Sequence, residues 1–519
     1  MPALLVAAVC CMETAEAQLT DLTQTPNAEN AGIVKSLQQQ IGTGVGNLTT
    51  PGSSTYIIAR DPARAVRRGR QLFQRKFTEL QGFGPRANDG IGNIHSNPAL
   101  GAGLVDSCAG CHGRPRGSAG LGGDVVTKPD SRDAPHLFGL GLQEMLADEI
   151  TTDLRNTRRD VIGEATTRRT TVTRPLMSKG ISYGTIGANA QGVLITSGVV
   201  GVNADLRVRP FFAEGGTISI REFVVGAFND EMGLQSVDPL TASAAGGGRV
   251  VTPTGMVLNG ATDTIKRSLV TNVGDDLDLD GKVNEIPTSL VDFMEFYLFN
   301  YFKPGQYLHT NEGQIGQNLL NQIGCTACHI PNLVVNRDRR VADVETNYDQ
   351  NLGIFNGLYA VASLQISERD DGLGHPTIKV PNSSSFMIRN FYADMKRHDL
   401  GPAFWERNYD GTLTKLFMTE PLWGVGSSAP YGHDGRSINL REVILRHGGE
   451  AQTSRNAFAA LSEAQKGQVI NFLNELVLFP PDDTASNLDP GNRSNPTFPQ
   501  RGHGSIRLPE IFNNPLELE

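Results

Sequence analysis

Ser107-Cys108-Ala109-Gly110-Cys111-His112 and Gly324-Cys325-Thr326-Ala327-Cys328-His329 carry one pattern twice, Cys-x-x-Cys-His. Two thiols two residues apart can reach both vinyl groups of one porphyrin as thioethers, and the next imidazole falls beneath the iron. The chain holds only 6 Cys and 10 His in 519 residues. That composition yields by chance roughly one such pentad per thousand chains. Two accidents are negligible. A thioredoxin-like redox pair or a zinc knuckle would explain one Cys-x-x-Cys. Neither explains a His after both pairs, and beyond Cys10 and Cys11 near the start no other Cys remains to complete a zinc site. The reading is two covalently bound haems c, held by Cys108, Cys111 and His112 and by Cys325, Cys328 and His329.

The rest of the composition is consistent with this. The chain is 39% hydrophobic and 19% charged, as in a globular protein with a sizeable core. Its net charge of −9 argues against a nucleic-acid partner, and no apolar run beyond the first residues is long enough for a transmembrane segment. Residues 1–17 read as a signal peptide: an apolar run from Pro2 to Cys11, then Ala15-Glu16-Ala17 as a small-x-small cleavage pattern. Cleavage there leaves only the four pentad cysteines, hence no disulfide. Covalent haem attachment takes place outside the bacterial inner membrane, so the expected location is the periplasm.

Residues 18–60, rich in Thr, Asn, Gln and Gly, read as a variable extension. From Pro62, apolar residues recur at helical spacing: Val66, Leu72, Phe73, Phe77 and Leu80, with Gly69 on the same stretch. Gly69-x-x-Leu72-Phe73 resembles the first helix of small c-type cytochromes, in which Gly permits close crossing by the last helix. The same pattern returns at Gly316-x-x-Leu319-Leu320, just before the second pentad. The matching last helix spans 464–479, with a capping box at Ser462 and Gln465 and an apolar face of Val469, Phe472, Leu473 and Leu476. Between the pentads, 140–290 is Gly-rich and β-branched, predicting irregular loops and short hairpins. Phe293, Phe296, Tyr297, Phe299, Tyr301 and Phe302 read as the core face of one more helix. The expected fold is mainly α: two cytochrome c-like haem domains, 61–305 with the insertion and 306–482, then a tail, 483–519.

Ala429-Pro430-Tyr431-Gly432-His433-Asp434-Gly435-Arg436 followed by Leu440-Arg441-Glu442-Val443 resembles a block of the bacterial di-haem cytochrome c peroxidases and their methylamine-utilisation relatives. Pro421-Leu422-Trp423-Gly424-Val425-Gly426 and His447-Gly448-Gly449-Glu450-Ala451 narrow the likeness to the di-haem oxidoreductase group. Arg132–Gly139, Arg221-Glu222-Phe223 and Glu231-Met232-Gly233 also fit. The resemblance covers roughly residues 62–483. It implies that the second haem takes its sixth ligand fourteen residues beyond His433, at His447. Leu440, Val443, Ile444 and His447 share one helical face, and Gly448-Gly449 would let backbone approach a porphyrin edge. Relatives have Met or Tyr there, so His implies a bis-His, low-potential haem.

The resemblance further implies that Glu231 is the acid/base over the open face of the His112 haem. The relatives' Phe-Trp-Asp-Gly-Arg stretch reads here Phe211-Phe212-Ala213-Glu214-Gly215, so their inter-haem Trp is missing. Phe212 and Phe228 would make an apolar pocket, as in rubber-cleaving di-haem oxygenases. Asp276, Asp278 and Asp280, with Gly281, imitate half a calcium loop, while Pro287 at its twelfth position excludes a full EF-hand. His398 and His433 are candidates to stand near propionates. The expectation is a peroxidase-type enzyme that takes electrons from a small cytochrome or cupredoxin into the His329/His447 haem and reduces hydrogen peroxide at the His112 haem. A di-haem oxygenase or maturation oxidase acting on an organic substrate, and a non-enzymatic electron-transfer cytochrome, are the alternatives.

Overall fold

Two helices cross a third that is apolar on all sides, and one of the two contacts the turn of the first pentad. The computed structural model describes residues 44–75, 77, 107–112, 123–124, 130, 132–268, 274–276, 283, 285–300, 310–345, 361–364 and 366–476. The leader, the tail, Leu80, Tyr301, Phe302, Asp278 and Asp280 lie outside these. Order begins before Pro62, with a helix Ser54–Arg60 capped by Ser53. Asp61 then caps the Pro62–Gln74 helix by accepting from Arg64 N at 3.1 Å, with Pro in the first turn.

The centre is the Thr288–Asn300 helix, in which Phe293, Phe296, Tyr297 and Phe299 are all buried. A helix apolar on every side belongs in an interior, and burying each such ring contributes about 1.5–3 kcal/mol. A Cβ on Gly69 would collide with the Tyr297 Cβ and the Phe293 carbonyl. A Cβ on Gly141 would collide with the Phe299 carbonyl. Helices Pro62–Gln74 and Leu140–Arg168 therefore both cross the central helix at backbone contact. The second pentad has its own pair. Helix Asn311–Gln322 meets helix Glu463–Asn474 where Gly316 faces the Gln468 carbonyl. The predicted Ser462/Gln465 capping box is present, and Val469, Phe472, Leu473 and Leu476 are buried.

The mainly helical expectation is corrected. Seventeen strands form seven two-stranded sheets and one three-stranded sheet among the described residues. Five of these sheets lie between Leu333 and Met418, including Leu333–Val335 with Phe386–Ile388 and Arg397–Asp399 with Leu416–Met418. The protein mixes α and β. The stretch 140–290 is also more ordered than its composition suggests. It opens with a 29-residue helix, Leu140–Arg168, that buries Leu146, Ile150, Leu154, Val161 and Ala165 along one stripe. The sheet Val172–Ser178, Ile181–Ala188 and Leu194–Ile195 comes next, and the hairpin Arg249–Val251/Val257–Asn259 falls where a hairpin was expected. The larger core draws on both sides of residue 305, since Leu333, Val335, Ile388, Phe391 and Trp423 pack into it.

Candidate haem sites

Each pentad folds as one tight turn, which the spacing requires if both sulfurs are to share one partner. Cys108–Cys111 is a single helical turn closed by His112 N donating to the Cys108 carbonyl at 2.9 Å. Gly324, at φ 82°, starts the second turn, closed by His329 N to the Cys325 carbonyl at 3.0 Å. None of the four cysteines is in a disulfide. Burial pushes the Cys108 thiol up to about 12 and the Cys325 thiol up to about 11, so both stay protonated at neutral pH.

The three histidines are prepared alike. His112 Nδ1 lies 2.7 Å from the Pro135 carbonyl, His329 Nδ1 2.8 Å from the Tyr392 carbonyl, and His447 Nδ1 2.7 Å from the Val443 carbonyl. A carbonyl only accepts, so each Nδ1 carries the proton and each Nε2 keeps its lone pair, the tautomer of a metal-ligating histidine. Burial lowers the pKa of all three, that of His329 to about 4, which keeps the rings neutral. His447 lies close enough for its charge to lower His329 further. It caps the Leu440–Arg446 helix, which Asn439 starts by accepting from Glu442 N at 2.9 Å. These residues fit two haems with His112 and His329 as proximal ligands and His447 as a third.

Gly448 and Gly449 pack closely on the chain before Gly401. Gly448 N donates to the Leu400 carbonyl at 2.9 Å, and a Cβ on Gly449 would meet the Asp399 carbonyl. Their small size lets the chain after His447 pack on Asp399–Gly401. Met395, another conceivable ligand, is buried at φ 58° beside Arg397 and Met418. Glu231 ends a π turn, Ala227–Glu231, and is half-buried; Met232 after it is buried. Phe212 packs on Phe223 at 5.3 Å, and Phe223 packs edge-on to His112 at 6.5 Å, whereas Phe228 packs on Phe77 at 5.8 Å. Phe212 therefore reaches His112 through Phe223, and Phe228 belongs to a different contact. Asp276 accepts from Gln235 Nε2 at 3.5 Å, and Gln235 N donates to Glu285 at 2.6 Å.

His433 stacks on Phe417 at 4.0 Å and 15°. His398, paired with Phe417 across two strands, donates to Asp394 at 2.9 Å and Glu450 at 2.8 Å. Sequence reasoning missed both carboxylates. Burial alone would lower the His398 pKa, but the hydrogen bonds to Asp394, Cys328 and Glu450 and the Asp394 charge raise it to about 11. A raised cation stabilises the fold fully below its unfolded value of 6.5 and loses that contribution as pH rises towards 11. The melting temperature of the wild type should therefore fall more steeply between pH 7 and pH 10 than that of His398→Gln. Parallel curves would remove the charge from this role. The ligand atoms of Cys328, Asp394 and His398 lie within 4.8 Å of one another. A thioether at Cys328 and a metal ion on this triad exclude each other.

The two halves meet here. Arg132 makes a bidentate pair with Glu406 at 2.7 and 2.6 Å and a further pair with Glu214 at 2.8 Å. Asp133 N donates to the His433 carbonyl at 2.9 Å. His136, between apolar Pro135 and Leu137 in the block already singled out, donates from Nε2 to the Trp423 carbonyl at 3.1 Å. Residues 353–476, which contain His398, Trp423, His433 and His447, match the family model described as "Di-haem oxidoreductase, putative peroxidase". The match supports the di-haem oxidoreductase group. It reaches neither pentad, whose reading rests on its own chemistry. No curated protein matches the chain. A di-haem family implies haem as the cofactor, and among the described residues no helix is long and apolar enough to cross a membrane.

Proposed function

We propose that this chain is an exported, periplasmic di-haem c-type oxidoreductase that reduces hydrogen peroxide. The observation that carries the reading is the shared preparation of His112, His329 and His447: three half-buried imidazoles, each with Nδ1 on a backbone carbonyl. Cys108 and Cys111 would hold one haem c with His112 as an iron ligand, and Cys325 and Cys328 would hold the other with His329 and His447 as iron ligands. Bound there, the pair would supply one-electron storage at the second site and a place for peroxide to bind at the first. Peroxide takes two electrons and two protons to become two waters. The electrons come from a small cytochrome or cupredoxin through the His329 side, and the Glu231 carboxylate moves a proton from the near to the far peroxide oxygen. Asp276, Asp278 and Asp280 are the residues that would hold calcium. The Phe212–Phe223 pair beside His112 favours one second reading, an oxygenase acting on an apolar substrate.

His447→Ala tests the reading. Both haems should stay attached through acid–acetone extraction, while the C-terminal haem changes from low-spin to high-spin in the oxidised spectrum. Extractable haem would end the covalent assignment. An unchanged spectrum would move the sixth ligand elsewhere, with Met395 the next residue to replace.

A further inference from the structure

Two proximal histidines in separate turns hang from carbonyls that are themselves joined. His112 Nδ1 donates to Pro135 at 2.7 Å, and Pro135 is bonded to His136. His136 Nε2 donates to the Trp423 carbonyl at 3.1 Å. Leu422 N, one residue back, donates to the Phe391 carbonyl at 3.1 Å, and Phe391 is bonded to Tyr392. The Tyr392 carbonyl accepts from His329 Nδ1 at 2.8 Å. A second route shortens this path, because the Trp423 and Phe391 rings touch edge-to-face at 4.9 Å. Trp423 and Phe391 are buried, and Phe391 N is held by the Pro331 carbonyl at 2.8 Å, which fixes this part of the path.

We propose that His136 and Trp423 form the electronic bridge between the two proximal histidines, a role that rests on the two-haem reading above. Tunnelling falls off less steeply along covalent and hydrogen-bonded links than across gaps. Four hydrogen bonds and short bonded segments make this path continuous from imidazole to imidazole. An electron leaving the His329 site arrives at the His112 site; one centre is oxidised, the other reduced, and no bond breaks.

A second observation sets His136 apart from a packing residue. Its Nδ1 is buried and has no hydrogen-bond partner among the described residues. A buried nitrogen without a partner carries a desolvation penalty that an apolar side chain would avoid. A carbonyl only accepts, so the His136 proton sits on Nε2, the nitrogen that faces Trp423. His136 is a positioning residue on this account: it touches neither peroxide nor an open coordination position.

The experiment injects one electron per molecule into the haem-loaded protein by pulse reduction. Redistribution between the two haems is then tracked by absorbance. His136→Leu, which removes the donor at similar volume, should slow redistribution severalfold. His136→Gln, whose amide N–H can reach the same carbonyl, should keep close to the wild-type rate. Trp423→Leu, which keeps the carbonyl and loses the ring contact, should fall between them. Spectra and midpoint potentials should match the wild type in all three, so that driving force is not the cause. If His136→Leu fails to hold both haems, His136→Asn, too short to reach Trp423, replaces it. A wild-type rate in that variant, or equal slowing in the Leu and Gln variants, overturns the bridge. Absence of any redistribution in the wild type overturns the two-haem reading instead, and the bridge with it.

Discussion

Glu231→Gln should slow peroxide turnover by about a hundred- to ten-thousand-fold, the usual value of a positioned acid/base. Peroxide arrives as HOOH, and splitting its O–O bond requires one proton to leave the near oxygen and reach the far one. A carboxylate can take and return that proton; an amide of the same shape cannot. The residue lies at the end of a defined element. Ser219 caps the Ile220–Gly226 helix by accepting from Glu222 N at 3.1 Å, and the helix then widens into the π turn that ends at Glu231. Single π turns inside helices recur at functional sites, because the extra residue redirects the chain beyond it. Phe228 and Asn229 anchor this turn in the interior, with Asn229 Nδ2 donating to the Val225 carbonyl at 2.7 Å. The haem spectra should not change, since His112, His329 and His447 are untouched. Wild-type peroxide kinetics in Glu231→Gln would remove it as the acid/base and bring the oxygenase reading forward.

Legibility in the sequence was local. The pentads could be read because thioether chemistry fixes their spacing in residues. The Ser462/Gln465 box could be read because a capping box is complete within four residues. Gly69 and Gly316 could be read as crossing points, although the partner of Gly69 came from the aromatic run at 293–299. The sheets between Leu333 and Met418 were not legible. Strands of two to four residues are too short to show alternation, and their partners lie up to 55 residues away, as with Leu333 and Ile388. The Leu140–Arg168 helix was hidden for a different reason. Its Thr and Arg residues leave a weakly amphipathic pattern, and packing on the Thr288–Asn300 helix decides it. His136 was in view, but its partner, a main-chain carbonyl 287 residues away, leaves no trace in sequence.

The other large effect concerns stability. Arg221→Met should destabilise the fold by about 3–5 kcal/mol at pH 7, the usual cost of leaving buried charges without their partner. Arg221 is fully buried. It meets Asp238 through two hydrogen bonds of 2.9 and 2.5 Å, and one of its nitrogens meets Asp292 at 2.9 Å and Glu295 at 2.8 Å. Asp238 also caps the Pro239–Ala245 helix, while Asp292 and Glu295 lie on the central Thr288–Asn300 helix. Ser54 Oγ reaches Asp292 at 2.6 Å, so the cluster ties the first described helix to the same point. Burial raises Asp238, but Arg221 outweighs it and holds that carboxyl below its ordinary value; Glu295 is held above by burial. Without the guanidinium, burial acts on Asp238 and Glu295 unopposed by it and raises both. Groups raised in the folded state take up protons on folding, so the variant should regain stability as pH falls from 7 towards 5. In the wild type the depressed Asp238 works the other way, losing stability as pH drops through its folded value. Denaturant midpoints at both pH values decide it: a variant equal to wild type at pH 7, or one that weakens further on acidification, would mean that the cluster does not hold these helices together.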